Sequence, residues 1–192
     1  TDIQDNTRHE LTSRTRYSTV TALFAALIAV SAQIRIPLGP VPLTAQSMSV
    51  LIAGYVLGPK YGAFSTLLYT AVGLAGLPVF ASGGGPAYVF TPTFGYIVGF
   101  TVCAALTGAL ANFSKNANDL NAYLIMLAGL SGIYIPGVCW LIVYVSFFAP
   151  VSSDITTVLK IGFIIPVIGD LITTIPAAIV AVRIRQKMFP TL

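Results

Sequence analysis

The feature that most constrains this chain is a series of apolar stretches, each close to the length of a helix that crosses a lipid bilayer. About 20 consecutive apolar residues are needed to span the hydrocarbon core. The first such stretch is 17–36, and only 8% of the 192 residues are charged. A soluble domain has about 25% charged residues, so most of this surface has to face lipid. The sequence therefore predicts an integral membrane protein.

Six membrane-spanning helices are predicted, which makes the fold class an all-α integral membrane protein. Pro42 is expected in the first turn of the second span. The last apolar stretch is divided because Pro166 and Gly169 interrupt it. The predicted spans are 17–36, 42–57, 61–77, 92–111, 121–149 and 170–185, with a short segment, 158–165, before the last.

Six spans place both termini on one side of the membrane. The predicted parts are a polar N-terminal tail, 1–16, one membrane domain, 17–187, and a C-terminal tail, 188–192. The basic residues on the side of the termini are Arg8, Arg14, Arg16, Lys60, Lys115, Arg183, Arg185 and Lys187, and those on the other side are Arg35 and Lys160. Because cytoplasmic loops carry an excess of Lys and Arg, both termini are predicted in the cytoplasm. The net charge of +4 thus reflects membrane topology and does not indicate nucleic acid binding.

Three loops are predicted on the outer side, 35–46, 76–96 and 150–170, and they are rich in proline and glycine. Irregular backbone near a bilayer is tolerated only where protein or water covers its polar groups. We therefore expect these loops to fold back over the helices and close a ligand pocket. The glycines of the middle loop, including Gly84 and Gly85, are expected to help hold a ligand, although simple connectors also collect Gly and Pro.

Three charged residues on the outer side are candidates for ligand contacts. Asp170 stands at the start of the last span, where a carboxylate is costly unless it is paired, hydrated or capping a helix. It is predicted either to cap that helix or to accept hydrogen bonds from a ligand. Lys160 is either an interfacial residue or the cation for a ligand carboxylate. For Arg35, an anchor at the membrane interface is favoured over ligand contact.

Three uncharged residues are further candidates. Thr44 and Gln46 lie at the top of the short second span, where they either bond to neighbouring helices or contact a ligand. Tyr88 offers a ring for stacking and a hydroxyl for hydrogen bonding, and its alternative is a place in the aromatic belt of the membrane.

Catalytic motifs are missing from the sequence. It has no HExxH pair, and the glycines at 83–85 lack the Gly-Lys-Ser/Thr that completes a phosphate-binding loop. An intramembrane aspartyl protease needs two carboxylates within the spans, and only Asp170 qualifies. Cys103 and Cys139 each lie in an apolar stretch and are expected to be buried fillers and not a disulfide or metal pair. No catalytic residue, metal or cofactor is predicted.

The first span contains two pairs of alanines spaced four residues apart. Ala22 pairs with Ala26, and Ala25 pairs with Ala29. Small residues at this spacing let a second helix approach closely in lipid. The pairs are predicted either to pack within the same bundle or to form a groove for a separate membrane subunit.

Taken together, the motifs resemble the BioY family, the biotin-binding S components of energy-coupling factor (ECF) transporters. The resemblance rests on "VPLTAQ" (41–46), "GLPVF" (76–80), the glycine cluster before "PTFGYIVGF" (92–100) and "GDLI" (169–172). It covers the chain from the first span to the sixth, and the order and spacing of these motifs make it specific.

The resemblance implies a six-helix bundle in the bacterial cell membrane that holds biotin near the outer surface. It implies a transport subunit without catalytic activity, with ATP hydrolysis supplied by two ABC-type ATPases. A transmembrane coupling subunit would contact the alanines of the first helix. Asp170 would accept from the ureido N–H groups of biotin, Gln46 or Thr44 would donate to the ureido carbonyl, and Tyr88 and the glycines would close over the rings.

The chain departs from the family pattern at two places. Members often have a lysine three residues after the aspartate, where this chain has Thr173, so Lys160 is the substitute predicted here for the carboxylate of biotin. Members often read Gly-Pro-Thr-Gly-Gly-Tyr where this chain has "TPTFGY" (91–96). The alternatives are an S component for thiamine or riboflavin, a stand-alone secondary transporter and a membrane enzyme. A secondary transporter would show inverted repeats and charges at mid-membrane, and neither is evident.

Overall fold

The computed structural model describes residues 2–37, 41–114, 118–148, 156 and 159–188, with side chains described from residue 15 onward. Lys115 and most of the first half of the predicted outer loop 150–170 lie outside the described residues. So do the side chains of Arg8 and Arg14.

The described part of the chain is mostly helical. In chain order its main elements are α1 (Asp2–Ser31), β1 (Arg35–Ile36), β2 (Leu43–Thr44), α2 (Gln46–Leu74), α3 (Phe94–Phe113), α4 (Asp119–Phe147) and α5 (Ile165–Met188). A short 3₁₀ helix, Pro86–Phe90, precedes α3, and a π-helical turn, Lys160–Ile164, leads directly into α5. The residues predicted as a polar tail, 2–16, are helical and extend α1.

Helix α2 covers most of the second and third predicted spans and is interrupted between them. Gly58 has φ 77° and ψ −179°, which breaks the helix just before Pro59. A positive φ of this size is accessible to glycine and unfavourable for other residues. The start of α2 differs from the prediction, because Pro42 lies in a hairpin in which Ile36 pairs with Leu43. The chain becomes helical only at Gln46.

The predicted break at Pro166 and Gly169 is wrong, because α5 runs through both residues. A proline has no N–H, so Pro166 leaves the carbonyl of Gly162 without its usual α-helical donor. The hydroxyl of Tyr96 donates to that carbonyl at 2.6 Å. The π-helical turn just before α5 and this hydrogen bond together let the helix continue past the proline.

Glycines allow α3 to lie close to its neighbours on both sides. A Cβ atom at Gly54 of α2 would come within 2.5 Å of the carbonyl oxygen of Ala104. A Cβ at Gly132 of α4 would come within 2.7 Å of the backbone nitrogen of Cys103. Small residues at helix contacts are the usual means of close packing in membranes. Helix α3 is therefore held between α2 and α4.

The outward faces of the helices are apolar. Leu23, Ile135 and Ile172 are 66%, 66% and 65% exposed. Within the described residues, α3, α4 and the continuous helix 160–188 are long and apolar enough to cross a membrane, and 15–31 is a shorter apolar helix. Cys103 is buried as predicted, whereas Cys139 is exposed on the outward face of α4, so its predicted burial is wrong.

Candidate functional site

A cavity lies where the hairpin, the 3₁₀ helix and the adjoining ends of α2 and α3 meet the middle of α4 and the start of α5. Its empty volume is about 530 Å³, including the part that opens outward. Small-molecule sites commonly have mostly apolar walls with a few polar groups that orient the ligand. The apolar walls here include Val41, Leu43, Ile97, Phe100 and Ile133.

Asp170 is the only charged side chain among the described residues that line this cavity. It is 3% exposed, and its Oδ2 accepts from the hydroxyl of Tyr134 at 2.6 Å. The hydroxyl of Ser47 donates to the same carboxyl group. The cap interpretation is wrong, because Asp170 lies five residues inside α5, which begins at Ile165. A buried carboxylate with hydrogen-bond capacity left is suited to accept from a ligand.

Two tyrosines connect the cavity to the π-helical turn. The rings of Tyr96 and Tyr134 meet edge to face, with centroids 6.3 Å apart, and Tyr134 also contacts Phe163 at 5.5 Å. Tyr96 bonds to the carbonyl of Gly162, as described above. The carboxylate of Asp170 and the turn that precedes its helix are therefore positioned by the same aromatic pair.

Elsewhere in the cavity lining, the side-chain amide of Gln46 is held by two neighbours. The Nε2 of Gln46 donates to the hydroxyl of Tyr69 at 2.7 Å. The hydroxyl of Thr44 donates to the Oε1 of Gln46 at 3.2 Å. Gln46 is 4% exposed, and both Gln46 and Thr44 line the cavity, as does Ser47. This fixed amide keeps one N–H that these bonds do not use.

The loop after α2 brings an aromatic cluster to the cavity. Tyr88 lines the cavity and is 5% exposed; its ring lies 4.4 Å from that of Phe80. Its hydroxyl accepts from Thr93 at 3.1 Å. The backbone N–H of Gly85 donates to the carbonyl of Gly73 at 2.8 Å, which ties the loop to the end of α2. Gly84 and Gly85 themselves do not line the cavity.

Two predicted cationic candidates lie outside the cavity lining. Lys160 is exposed at the first residue of the π-helical turn, and Arg35 is exposed opposite Thr44 in the hairpin. Thr173, one of the two departures from the family pattern noted in the sequence, is exposed and donates to the backbone carbonyl of Asp170 at 3.3 Å. Any cation that meets a ligand in this cavity must therefore reach it from the rim.

The alanines of α1 fall on two different faces. Ala22 and Ala26 are exposed, whereas Ala25 is 6% exposed and belongs to the buried core. Ala29 is partly buried against the same core. The pair formed by Ala25 and Ala29 therefore packs within the bundle, which is one of the two alternatives left open by the sequence. The pair formed by Ala22 and Ala26 offers an outward surface.

Sequence reasoning named Asp170, Gln46, Thr44 and Tyr88, and the structure brings these four to one cavity. It missed Tyr96, Tyr134 and Ser47. The two tyrosines lie inside long apolar spans, where a Tyr looks like any other aromatic residue. Ser47 directly follows the "VPLTAQ" motif, and its place in the first turn of α2 was the one available signal.

Comparison with known proteins shows what the chain as a whole is similar to. The BioY family profile matches residues 5–189 of the chain. The biotin transporter BioY of Thermotoga maritima is 42% identical over 166 residues, which cover 85% of this chain and 92% of that protein. The probable biotin transporter BioY of Lysinibacillus sphaericus is 38% identical over 165 residues, which cover 86% and 84%.

A solved structure has the same fold. The crystal structure of the S-component for biotin from an ECF-type ABC transporter superposes with a TM-score of 0.78. The two sequences are 27% identical, and the match covers 91% of this chain and 93% of that one.

Proposed function

This chain belongs to the BioY family, as its motifs predicted, and we propose that it binds biotin as the substrate-binding S component of an ECF-type transporter. The observation that carries the proposal is the buried carboxylate of Asp170 in an apolar cavity. The named relatives are biotin transporters, so a role in thiamine or riboflavin binding is not favoured.

The ureido ring of biotin fits the polar wall formed by Asp170. This ring has two N–H donors and one carbonyl. A carboxylate offers about four acceptor positions on its two oxygens, and Tyr134 and Ser47 donate to the carboxyl group of Asp170. The remaining positions would accept from the ureido N–H groups. Hydrogen bonds of this kind discriminate strongly, because a ligand without them leaves the buried acceptor unpaired.

The ureido carbonyl would then face the amide of Gln46. That amide already donates one N–H to Tyr69 and accepts from Thr44, which fixes its orientation. Its second N–H would donate to the ureido carbonyl, so Gln46 is favoured over Thr44 for this role. The sulfur-containing ring of biotin would pack against apolar walls such as Phe100 and Ile133, and Tyr88 would cover it.

The valerate carboxylate of biotin would meet a cation at the rim of the cavity. Lys160 lies two residues before Gly162, whose carbonyl bonds to Tyr96 in the cavity wall. Arg35 lies opposite Thr44 in the hairpin. We favour Lys160, as the sequence predicted, and treat Arg35 as the second candidate. The loop that contains Gly84 and Gly85 would close over the ligand from the other side.

The remaining features of the proposal concern the membrane and the partners. Six helices would cross the bacterial cell membrane with both termini in the cytoplasm and with the outer loops closing the cavity. A transmembrane coupling subunit and two ABC-type ATPases would associate with the chain and supply ATP hydrolysis. Ala22 and Ala26 are exposed, and small residues four apart let another helix approach closely. A helix of the coupling subunit would therefore contact this pair. Ala25 and Ala29 would support that face from within.

A binding titration tests the function. The purified protein in detergent, freed of endogenous ligand, would be titrated with biotin by calorimetry, and with thiamine and riboflavin as competitors. We expect biotin to bind, and we expect a hundredfold excess of either competitor to leave the biotin isotherm unchanged. Displacement of biotin by thiamine or riboflavin would assign the cavity to another vitamin. Mass spectrometry of the protein as first purified should detect biotin.

A further inference from the structure

A second cavity lies at the other end of the helices. It opens beside the Gly58 break, about 18 Å along α2 from Gln46 at 1.5 Å per residue. Its empty space is about 1,000 Å³, including the part that is open to the outside. Tyr17, Lys60, Asn112 and Arg185 are among its lining residues. Helix α3 begins near the first cavity and ends near this one.

Arg185 is a cation held in a fixed position in this cavity. Its Nη1 donates to the backbone carbonyl of Tyr55 at 3.1 Å, and its Nη2 donates to the Oδ1 of Asn112 at 3.1 Å. The guanidinium carbon lies 5.3 Å from the centroid of the Tyr55 ring. A guanidinium has five N–H donors, and these two hydrogen bonds use two of them. The others are available to an anion.

Lys60 supplies a second cation at the mouth of the cavity. It is exposed, and its Nζ lies 6.0 Å from the ring centroid of Tyr61. That ring stacks on Tyr17 with centroids 4.6 Å apart and an angle of 14°. Tyrosines with an apolar ring and a polar hydroxyl are common at the level of lipid headgroups. Gly58 and Pro59, which form the break in α2, also line the cavity.

The charges of this cavity are of one sign. Among the described residues that line it, two are basic and none is acidic. Asp119 acts electrostatically on Tyr55 from the start of α4, but it does not line the cavity. Two cations, one of them rigidly held beside an amide, match the charge and the acceptor oxygens of a phosphate group.

We propose that this cavity binds the phosphate group of an anionic molecule, with an anionic phospholipid headgroup as the favoured source. Basic pockets between membrane helices on the cytoplasmic side bind such headgroups, and this end carries the basic residues assigned to the cytoplasm. The site is separate from the biotin cavity, so the proposal does not depend on the function proposed above.

Lipid titration followed by native mass spectrometry tests the proposal. The delipidated protein in detergent would be titrated with phosphatidylglycerol and, separately, with phosphatidylcholine of the same chain lengths. We expect the wild type to bind phosphatidylglycerol at least fivefold more tightly than phosphatidylcholine. Lys60→Gln should lower the affinity for phosphatidylglycerol about fivefold, since a basic residue near an anionic lipid contributes about 1 kcal/mol. The double variant Lys60→Gln/Arg185→Gln should abolish the preference.

The matched control is Arg183→Gln/Lys187→Gln, which removes two exposed charges near the same end without touching the cavity lining. An equal loss in this control would attribute the preference to general surface charge and overturn the site. A wild type without preference for phosphatidylglycerol would overturn it as well. The thermal unfolding midpoint measured in parallel shows whether each variant is folded; if Arg185→Gln unfolds the protein, Lys60→Gln alone decides.

Inorganic phosphate distinguishes the two sources of the phosphate group. Competition by millimolar phosphate against phosphatidylglycerol in the wild type, lost in Lys60→Gln, would support a site for a soluble phosphate compound. Binding of phosphatidylglycerol that phosphate does not displace would support the lipid headgroup.

Discussion

Asp170, with the Tyr134 hydroxyl that donates to its carboxylate, forms the acceptor side of the proposed biotin site. We predict that Asp170→Asn weakens biotin binding at least tenfold, about 1.4 kcal/mol, because an amide presents an N–H where the ureido ring needs an acceptor.

Tyr134→Phe should weaken binding about threefold to tenfold, since it removes one hydrogen bond, worth about 1 kcal/mol, that orients the carboxylate. Calorimetric titration in detergent measures both effects.

The control for these variants is Tyr123→Phe, which removes a hydroxyl from the same helix, α4, outside the cavity lining. It should bind biotin like the wild type. An affinity unchanged in Asp170→Asn would remove the aspartate from the site, whatever the result for Tyr134→Phe.

The cation at the rim is tested by changing ligand and protein together. Biotin methyl ester keeps the ureido ring but lacks the negative charge of the valerate. We predict that Lys160→Gln lowers the affinity for biotin up to about fivefold, since an exposed ion pair contributes at most about 1 kcal/mol, and leaves the affinity for the ester unchanged. Arg35→Gln should affect the two ligands equally. The reverse pattern would transfer the role from Lys160 to Arg35.

At the scale of single residues, the sequence revealed the polar groups that are out of place in a membrane span. A carboxylate in "GDLI" and an amide in "VPLTAQ" have to be explained because burial is costly for both. Tyr134 and Tyr96 carry no such signal. They reach the site because the folded helices bring Tyr134 of α4 beside Asp170 and Tyr96 of α3 beside Gly162. This proximity is a property of the fold.

The loop between α2 and α3 is an element whose glycines have separate roles. Gly83 and Gly85 have φ values of 120° and 102°, which favour glycine. Gly84 is constrained by space, since a Cβ there would lie 2.0 Å from the carbonyl oxygen of Leu77. In this conformation the loop fits closely against the end of α2.

We predict that Gly84→Ala lowers both stability and biotin affinity. The added methyl group meets backbone that cannot yield cheaply, and such overpacking costs about 1–3 kcal/mol. The thermal unfolding midpoint should fall by several degrees, and biotin should bind at least threefold more weakly because Tyr88 shifts with the loop. Ser82→Ala, at an exposed neighbouring position, is the control. If Gly84→Ala matched Ser82→Ala in both measurements, the loop would be too loose to position a ligand.

At the scale of elements, apolar length located the helices but not their ends. Pro42 suits the first turn of a helix, which predicts helix for residues 42–45. These residues instead lie in a hairpin, in which 43–44 pair with 35–36. Residues 166–169 were assigned to a break because Pro and Gly interrupt helices, yet a hydrogen bond from Tyr96 satisfies the carbonyl that the proline leaves free. The contact that decides the structure is with the strand 35–36 in the first case and with Tyr96 in the second. Local helix propensity does not include contacts of this kind.

The whole molecule has two different ends. Among the described residues, the end with the cavity of Asp170 has irregular backbone, a buried carboxylate and few basic residues. The other end gathers the start of α1, the Gly58 break and the last turn of α5. There Arg16 donates to the backbone carbonyl of Met188 at 2.6 Å, and Lys60 and Arg185 line a common cavity. Of the basic residues that the sequence assigned to one side, Arg16, Lys60 and Arg185 thus lie at the same end.

This polarity leads to a prediction about orientation that cysteine labelling can measure. Lys160→Cys and Lys60→Cys would be introduced separately into a Cys139→Ala background, in which the remaining thiol, Cys103, is buried. Basic ends of membrane proteins are usually retained in the cytoplasm. We therefore expect a membrane-impermeant maleimide added to intact cells to label Lys160→Cys, and to label Lys60→Cys only after permeabilisation. The background protein without an added cysteine should stay unlabelled in both conditions. Labelling of Lys60→Cys in intact cells, with Lys160→Cys protected, would place the cavity of Asp170 on the cytoplasmic side, and capture of biotin from outside by this cavity would then be ruled out.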